Sequence, residues 1–385
     1  MTTINIPAID NNKNIKMKIL HICEYDYYTF VGGLPKYVKE LAEMQASSHD
    51  VTVFSCSKDK SYVVINNVKI KRFKYIEFLR VPISLGMCIE FLRIKPDIVH
   101  IHHTYPIIGE IISILAKFRG IPIIATIHNE PHLLNNSILT RIAYKIWRYV
   151  LAKISFSLSD ILIATTQDFV DTSDILKNFK NKIHVIPIGI HNRTRHIEVK
   201  REEEENYLLF VGRIVPEKGL HVLIEALRLL DKNVYLKIVG DYSRNDELSY
   251  KRELDEMIER YGLSKQVRFL GKVSDEKLEL LYTNARALIM PVLTRRDNFG
   301  IVQLEAMIHG LPIITSNIAG VREVADGAAI LVEPNNPQAL ADAIIKILDN
   351  KVREELSKKT YELSKRYEWK NIYKEIEALY FKILK

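Results

Sequence analysis

The stretch DNFGIVQLEAM (297–307) sets Asp297 and Glu305 eight positions apart, on either side of Gly300, where an apolar helix begins that Gly310 closes. A helix start turns free N–H groups and a partial positive charge toward an anion, so the backbone around Gly300 suits a phosphate. Glu305, inside the helix, can turn its carboxylate to vicinal ribose hydroxyls, two donors that suit one acid. Asp297, just ahead, can reach a sugar beyond the phosphates. One helix would then read ribose, phosphate and sugar in order, as a nucleotide sugar requires. The competing reading is a helix-stabilising acid plus an unrelated surface glutamate; it leaves a carboxylate in so apolar a run unexplained.

Three other constellations fall where strands should end. In FVGRIVPEKGL, Arg213 and Lys218 stand five apart, ahead of Gly219 and a helix. A guanidinium can bind two oxygens side by side and an ammonium supplies a point charge, a pairing suited to a diphosphate. Solvated surface charges are the bland alternative. In YTFVGGLPKYVKELAEM, Gly32 and Gly33 clear side chains from the mouth of a helix, which admits a ligand or makes a plain flexible loop. The histidines come last. VHIHH puts His100 and His102 on one face of a strand and His103 on the other, and no cysteine or carboxylate is spaced to complete a metal site, so no metal is expected. His128, ending PIIATIH, either bonds a sugar hydroxyl or leaving group or simply packs at its strand end.

The elements that must carry these residues follow from periodicity. Near-continuous apolar runs at 18–25, 50–57, 68–73, 97–103, 122–128, 160–166 and 182–190 read as strands, with amphipathic segments such as LPKYVKELAEM and IIGEIISILAKF between them. After the polar stretch HNRTRHIEVKREEEEN (191–206) the pattern restarts, with strands at 208–214, 234–241, 267–273, 285–292, 312–317 and 328–334. Buried strands alternating with helices make a parallel sheet covered on both faces. The fold class is therefore α/β, two doubly wound domains facing a central cleft. Ligands of such sheets sit beyond the carboxyl ends of the strands.

Composition bounds the function. A chain of 385 residues with 47% hydrophobic and 26% charged residues is an ordinary globular protein of about two domains. Its most apolar window carries Glu110 and Lys117, so no span of a bilayer is expected, and the first sixteen residues lack the layout of a signal peptide. Three cysteines form neither a zinc spacing nor a disulfide framework. A cytoplasmic location is expected. The net charge of +8 is uneven: 21 Lys and Arg against 15 Asp and Glu in residues 17–190, but 28 against 26 in 207–385. No nucleic-acid motif accompanies that basic half, so no nucleic-acid partner is expected. Two basic, aromatic segments read as helical, LTRIAYKIWRYVLAKI with Arg141, Lys145 and Arg148 on one face and KIKRFKYIEFLR (69–80), could lie on the inner face of an anionic membrane or be ordinary solvated faces.

GGLPKYVKELA, the histidine of ATIHN, GRIVPEKG, GKVSDEKLELLYTNA and DNFGIVQLEAMIHGLPIITSNIAGVREV resemble, in order and spacing, the retaining glycosyltransferases of family 4, from about Met17 to the end. The resemblance implies a GT-B fold and transfer from a nucleotide-diphosphate-sugar to a glycan or lipid-linked acceptor, with retention and with neither metal nor cofactor. By it, Arg213 and Lys218 neutralise the leaving diphosphate, while Gly33 with the amides of Gly300 and Ile301 holds the phosphates. Val273 meets the base through its backbone, Glu305 the ribose and His128 the transferred sugar. Asp297 stands where the family usually has Glu, one methylene shorter. The implied domains are a polar extension 1–16, an acceptor-side domain 17–190, a linker 191–206, a nucleotide-sugar domain 207–364 and a terminal helix 365–385 that crosses back to the first domain. Two alternatives remain, a sugar-nucleotide epimerase of the same fold and a non-catalytic nucleotide-sugar-binding protein.

Overall fold

The computed structural model describes residues 15–24, 26, 33–78, 81–103, 106–128, 142, 145–191, 207–231, 233–242, 245–295 and 299–384. The chain divides into two compact units, residues 1–189 with 370–385, and residues 190–369.

In the first unit, short β-branched runs bury themselves as β1 (Lys18–Cys23), β2 (Asp50–Ser57), β3 (Ser61–Ile65), β4 (Val68–Lys74), β7 (Ile98–His103), β8 (Ile123–Ile127), β9 (Ile161–Ala164) and β10 (Ile183–Val185). They form one sheet in the order β10-β9-β8-β7-β1-β2-β4-β3. Every pairing in it is parallel except β3 with β4. The β3–β4 hairpin turns through Asn66 and Asn67, at φ 48° and 64°, the left-handed pair that a two-residue hairpin loop needs. A separate pair, β5 (Ile76–Phe78) and β6 (Val81–Ile83), is antiparallel. Within the stretch KIKRFKYIEFLR, residues 69–74 and 76–78 are strand, which fits the strand expected at 68–73 and not the basic helical face also read there. Alternate residues Val68 and Ile70 are buried while their neighbours are not, so a period of two against β2 overrides the helical reading.

Helix Gly33–Gln45 turns Tyr37, Val38, Leu41, Ala42 and Gln45 inward, the spacing of one helical face. Glu110, which interrupts an apolar helix, is buried because it has donors: the Trp147 indole at 2.8 Å and the Ile107 amide at the helix start. Residues 370–384 of the helix Trp369–Leu384 belong to this unit, where Glu377 meets the His49 ring and the Tyr380 hydroxyl meets His100.

The second unit holds β11 (Tyr207–Val211), β12 (Tyr235–Val239), β13 (Val267–Gly271), β14 (Ala287–Met290), β15 (Ile313–Ser316) and β16 (Ala329–Val332), in the order β13-β12-β11-β14-β15-β16. All five pairings are parallel. Helices Leu220–Arg228 and Pro337–Leu348 bury Leu223, Ile224, Leu227, Ile344 and Ile347 in its core. In each sheet the chain runs outward both ways from one place, β1 beside β7 and β11 beside β14. Connections on either side of such a switch point leave in opposite directions and open a crevice at the carboxyl ends.

Candidate functional site

The switch point of the second unit carries most of the residues singled out above. Beyond β11 the chain passes Gly212 and the exposed Arg213, then turns through a short 3-10 segment, Pro216–Lys218. Beyond β14 it reaches Gly300 and the helix Ile301–Ile308. The two loops are stitched together, since the Leu293 amide donates to the Glu217 carbonyl at 2.9 Å. Gly219 lies so close to Pro291 that an added Cβ would stand 1.9 Å from its carbonyl oxygen, and its φ of 72° suits glycine besides. The half-buried Lys218 thus lies on a loop bonded directly to the one that leaves β14. Gly300, at φ 70°, leaves no room either: a Cβ there would meet the Met290 methyl at 2.9 Å. Gln303 braces the loop with side-chain bonds to the carbonyls of Phe299 and Val321, both 3.1 Å.

Glu305, half-buried, accepts a hydrogen bond from the Tyr282 hydroxyl at 2.9 Å. Tyr282 is buried beside that carboxylate, and both effects hold its phenol far above the ordinary range, as a donor. It stacks on His309, whose Nδ1 lies 3.2 Å from Thr283 Oγ1. Tyr282 lies within GKVSDEKLELLYTNA, and nothing in the sequence marks it for a part in the site. Its distance in sequence from Glu305, 23 residues, hides the pairing. Val273 follows β13, two strands from β11.

A row of glycines was also missed. Gly212, Gly240 and Gly271 follow or end the neighbouring strands β11, β12 and β13, and their backbones touch: a Cβ on Gly240 would stand 1.8 Å from the Gly212 carbonyl oxygen, while the Gly240 amide donates to Gly271 at 3.0 Å. The signal was in plain view as FVGRI, IVGDY and FLGKV, each an apolar pair, a glycine and a charged residue.

In the first unit Gly33 opens helix Gly33–Gln45 and His128 follows β8. Tyr37 of that helix meets the His128 ring edge-on at 5.0 Å. His100 and His102, on one strand face as expected, are joined by His21 from β1, a third histidine whose ring atoms lie near enough to theirs for a common metal ion. His103, on the opposite face, bonds Ser155 Oγ at 2.9 Å. Burial pushes the His21 and His103 rings down to about 4 and those of His100, His102 and His128 down as well. Gly32 and Asp297 lie outside the described residues, as do Arg141 and residues 192–206.

Comparison with known proteins now decides the family. Residues 31–193 match Glycosyltransferase Family 4 and residues 192–363 match Glycosyl transferases group 1. The chain belongs to the family 4 glycosyltransferases. It is 28% identical over 363 residues to an uncharacterized glycosyltransferase of Methanocaldococcus jannaschii, spanning 92% of this chain and 95% of that one. It is 26% identical over 365 residues, 91% and 93% of the two chains, to O-antigen chain mannosyltransferase C of Escherichia coli. Among solved structures, sucrose-phosphate synthase from Thermosynechococcus elongatus superposes with a TM-score of 0.78 at 20% identity over 96% of this glycosyltransferase and 99% of that chain. Anabaena Alr3699/HepE, in complex with UDP and glucose, does so at 0.72 and 19% over 94% and 99%. At such identities the likeness is one of fold, and the fold is GT-B. No described helix of this glycosyltransferase is long and apolar enough to cross a membrane.

Proposed function

We propose that this glycosyltransferase moves a sugar from a nucleotide-diphosphate-sugar to a hydroxyl of a glycan or lipid-linked acceptor, with retention and without a metal or other cofactor. One observation carries the proposal: the stitching of the Arg213–Lys218 loop to the loop that leads into Gly300, at the switch point of a parallel sheet. In this reading the two cations of the one loop and the helix start that follows the other act together on a leaving diphosphate, the chemistry such a group needs. Glu305 takes the ribose, Val273 the base, Gly33 with the Gly300 and Ile301 amides the phosphates, and His128 with Asp297 the sugar. The acceptor oxygen bonds to the anomeric carbon on the face from which the diphosphate departs. The carbon–oxygen bond to the diphosphate breaks, and a phosphate oxygen of the leaving group takes the hydroxyl proton. Two features of the relatives support donor and acceptor: an Anabaena structural neighbour holds UDP and glucose, and several sequence relatives are named O-antigen mannosyltransferases. The epimerase and sensor readings have no such support.

Removing one preorganised donor to developing charge costs about two to three orders of magnitude in rate. Lys218→Ala is therefore expected to lose transfer by that factor while its thermal midpoint stays near the parent value, and a folded variant with near-normal turnover would refute the assignment. A thermal-shift screen over UDP-, GDP- and ADP-sugars identifies the donor, since a ligand that binds only the native state raises the midpoint.

Peripheral membrane contact belongs to the same proposal. Ile142, Ile146, Tyr149 and Val150 are exposed, and the exposed Lys145 and Lys153 flank them, the mixture that favours an anionic interface. Co-sedimentation with vesicles containing anionic lipid is expected and should weaken in salt. Equal binding to neutral vesicles, or none to either, counts against it.

A further inference from the structure

Beneath His128 lies a continuous run of side-chain hydrogen bonds. Gln45 Oε1 lies 2.6 Å from His21 Nε2; His21 Nδ1 lies 2.9 Å from His102 Nε2; His102 Nδ1 lies 3.3 Å from His128 Nε2. Four elements build it: helix Gly33–Gln45 supplies Gln45, β1 His21, β7 His102 and the end of β8 His128. Those three strands are neighbours in the order β8-β7-β1, so the run crosses the sheet at its switch point.

A neutral imidazole has one N–H and one lone pair. Between two neutral rings, therefore, one nitrogen must give and the other accept, and the tautomer of one ring dictates that of the next. The amide oxygen at the far end only accepts. His21 must then hold its proton on Nε2 and present a lone pair at Nδ1, to which His102 donates from Nε2. His102 in turn offers a lone pair at Nδ1, and the donor facing it is His128 Nε2. We propose that Gln45, through His21 and His102, fixes the tautomer of His128 with its proton on Nε2 and its lone pair on Nδ1. Gln45, His21 and His102 are positioning residues; any group that meets Nδ1 of His128 meets an acceptor.

Burial keeps all three rings neutral, which the scheme requires. Their planes are held by packing as well as bonding: His21 stacks on His102, and Tyr37 abuts His102 and His128 edge-on at 5.8 and 5.0 Å. A metal ion shared by His21, His100 and His102 is the competing use of the cluster. It is disfavoured because all six nitrogens of those rings already have partners, His100 bonding Thr126 at 2.7 Å and the Tyr380 hydroxyl.

For the reaction, the consequence is that His128 would receive a hydrogen bond from a sugar hydroxyl rather than give one to a phosphate oxygen. That clause rests on the proposed sugar contact; the tautomer does not. The test is long-range proton–nitrogen correlation on protein carrying nitrogen-labelled histidine at neutral pH, with rings assigned by substitution. His21, His102 and His128 are expected to show an unprotonated, pyridine-type Nδ1 and a protonated Nε2. Gln45→Glu, which keeps an acceptor oxygen, should leave His128 unchanged, whereas folded Gln45→Met and His21→Phe should move it to a mixture of both forms. Any of the three rings protonated on Nδ1 in the parent overturns the proposal. So does a His128 signal indifferent to both disruptive variants, or a stoichiometric metal ion on the purified protein. Should a disruptive variant not fold, the parent spectrum and Gln45→Glu still decide. Because no substrate is present, a failure here is distinct from a failure of the sugar contact.

Discussion

Glu305 illustrates how a single side chain depends on a neighbour that the sequence does not advertise. A carboxylate on a helix can point along several rotamers, and the Tyr282 hydroxyl selects one by donating to its Oε2. Hydrogen bonds to charged groups contribute about 1.5–3 kcal/mol. Tyr282→Phe keeps the buried ring and its stacking on His309 but removes the donor. If Glu305 grips the ribose in ground and transition states alike, the loss falls on uniform binding, which raises KM and leaves kcat nearly unchanged. A donor KM about tenfold higher or more, with kcat within a factor of about two, is the expected result. A fall in kcat at constant KM would instead place Glu305 in the chemical step.

At the scale of elements, the glycines at the carboxyl ends of β11, β12 and β13 set how closely those strand ends approach. Gly240→Ala would drive a methyl into the Gly212 carbonyl, and Gly219→Ala one into that of Pro291. In both cases backbone, not a flexible side chain, must yield. Overpacking of this kind costs about 1–3 kcal/mol, and in Gly219→Ala the displaced loop carries Lys218. Both variants are expected to melt below the parent, and Gly219→Ala to lose transfer as well. A parent-like melting temperature for either contradicts the close approach. This scale also shows what sequence could reveal. Strands such as β8 and β9 were legible because buried parallel strands are near-continuous apolar runs, and the helix opening at Gly300 because glycines bracket its apolar run. The β3–β4 hairpin was legible too, as the apolar run YVVI ahead of Asn66 and Asn67, and was overlooked; its side chains stay largely exposed in the fold. The pairings Tyr282 with Glu305, and His21 with His102, needed the fold, because parallel strands and crossover helices join residues far apart in sequence.

At the scale of the whole molecule, the two units should respond differently to acid. In the first, His21, His100, His102, His103 and His128 all have their pKa lowered, with burial the largest cause in each. The sign follows from which state binds protons first. Above the ordinary value of 6.5 neither state is charged and these rings contribute nothing; below it the unfolded chain takes up protons that the fold refuses. Stability is therefore lost as pH falls from about 6.5 toward the folded values, about 4 for His21 and His103. Each ring contributes up to about 1.4 kcal/mol per pH unit. Several acting together exhaust the roughly 5–15 kcal/mol that holds a domain. Glu110 and Glu375 work in the opposite sense, since burial raises their pKa and the fold takes up those protons first, but they are two carboxyls against these five rings, with His184 lowered as well. In the second unit His221 and His309 are also lowered by burial, with nearby glutamates opposing the shift. Scanning calorimetry from pH 7.5 to 4.5 is expected to show the first unit's transition falling steeply below about pH 6.5 and the second unit's falling less. His21→Phe should flatten the first slope by about one ring's share. Equal descent of the two transitions, or a flat profile down to pH 5, would show that the buried histidines are not what acid attacks.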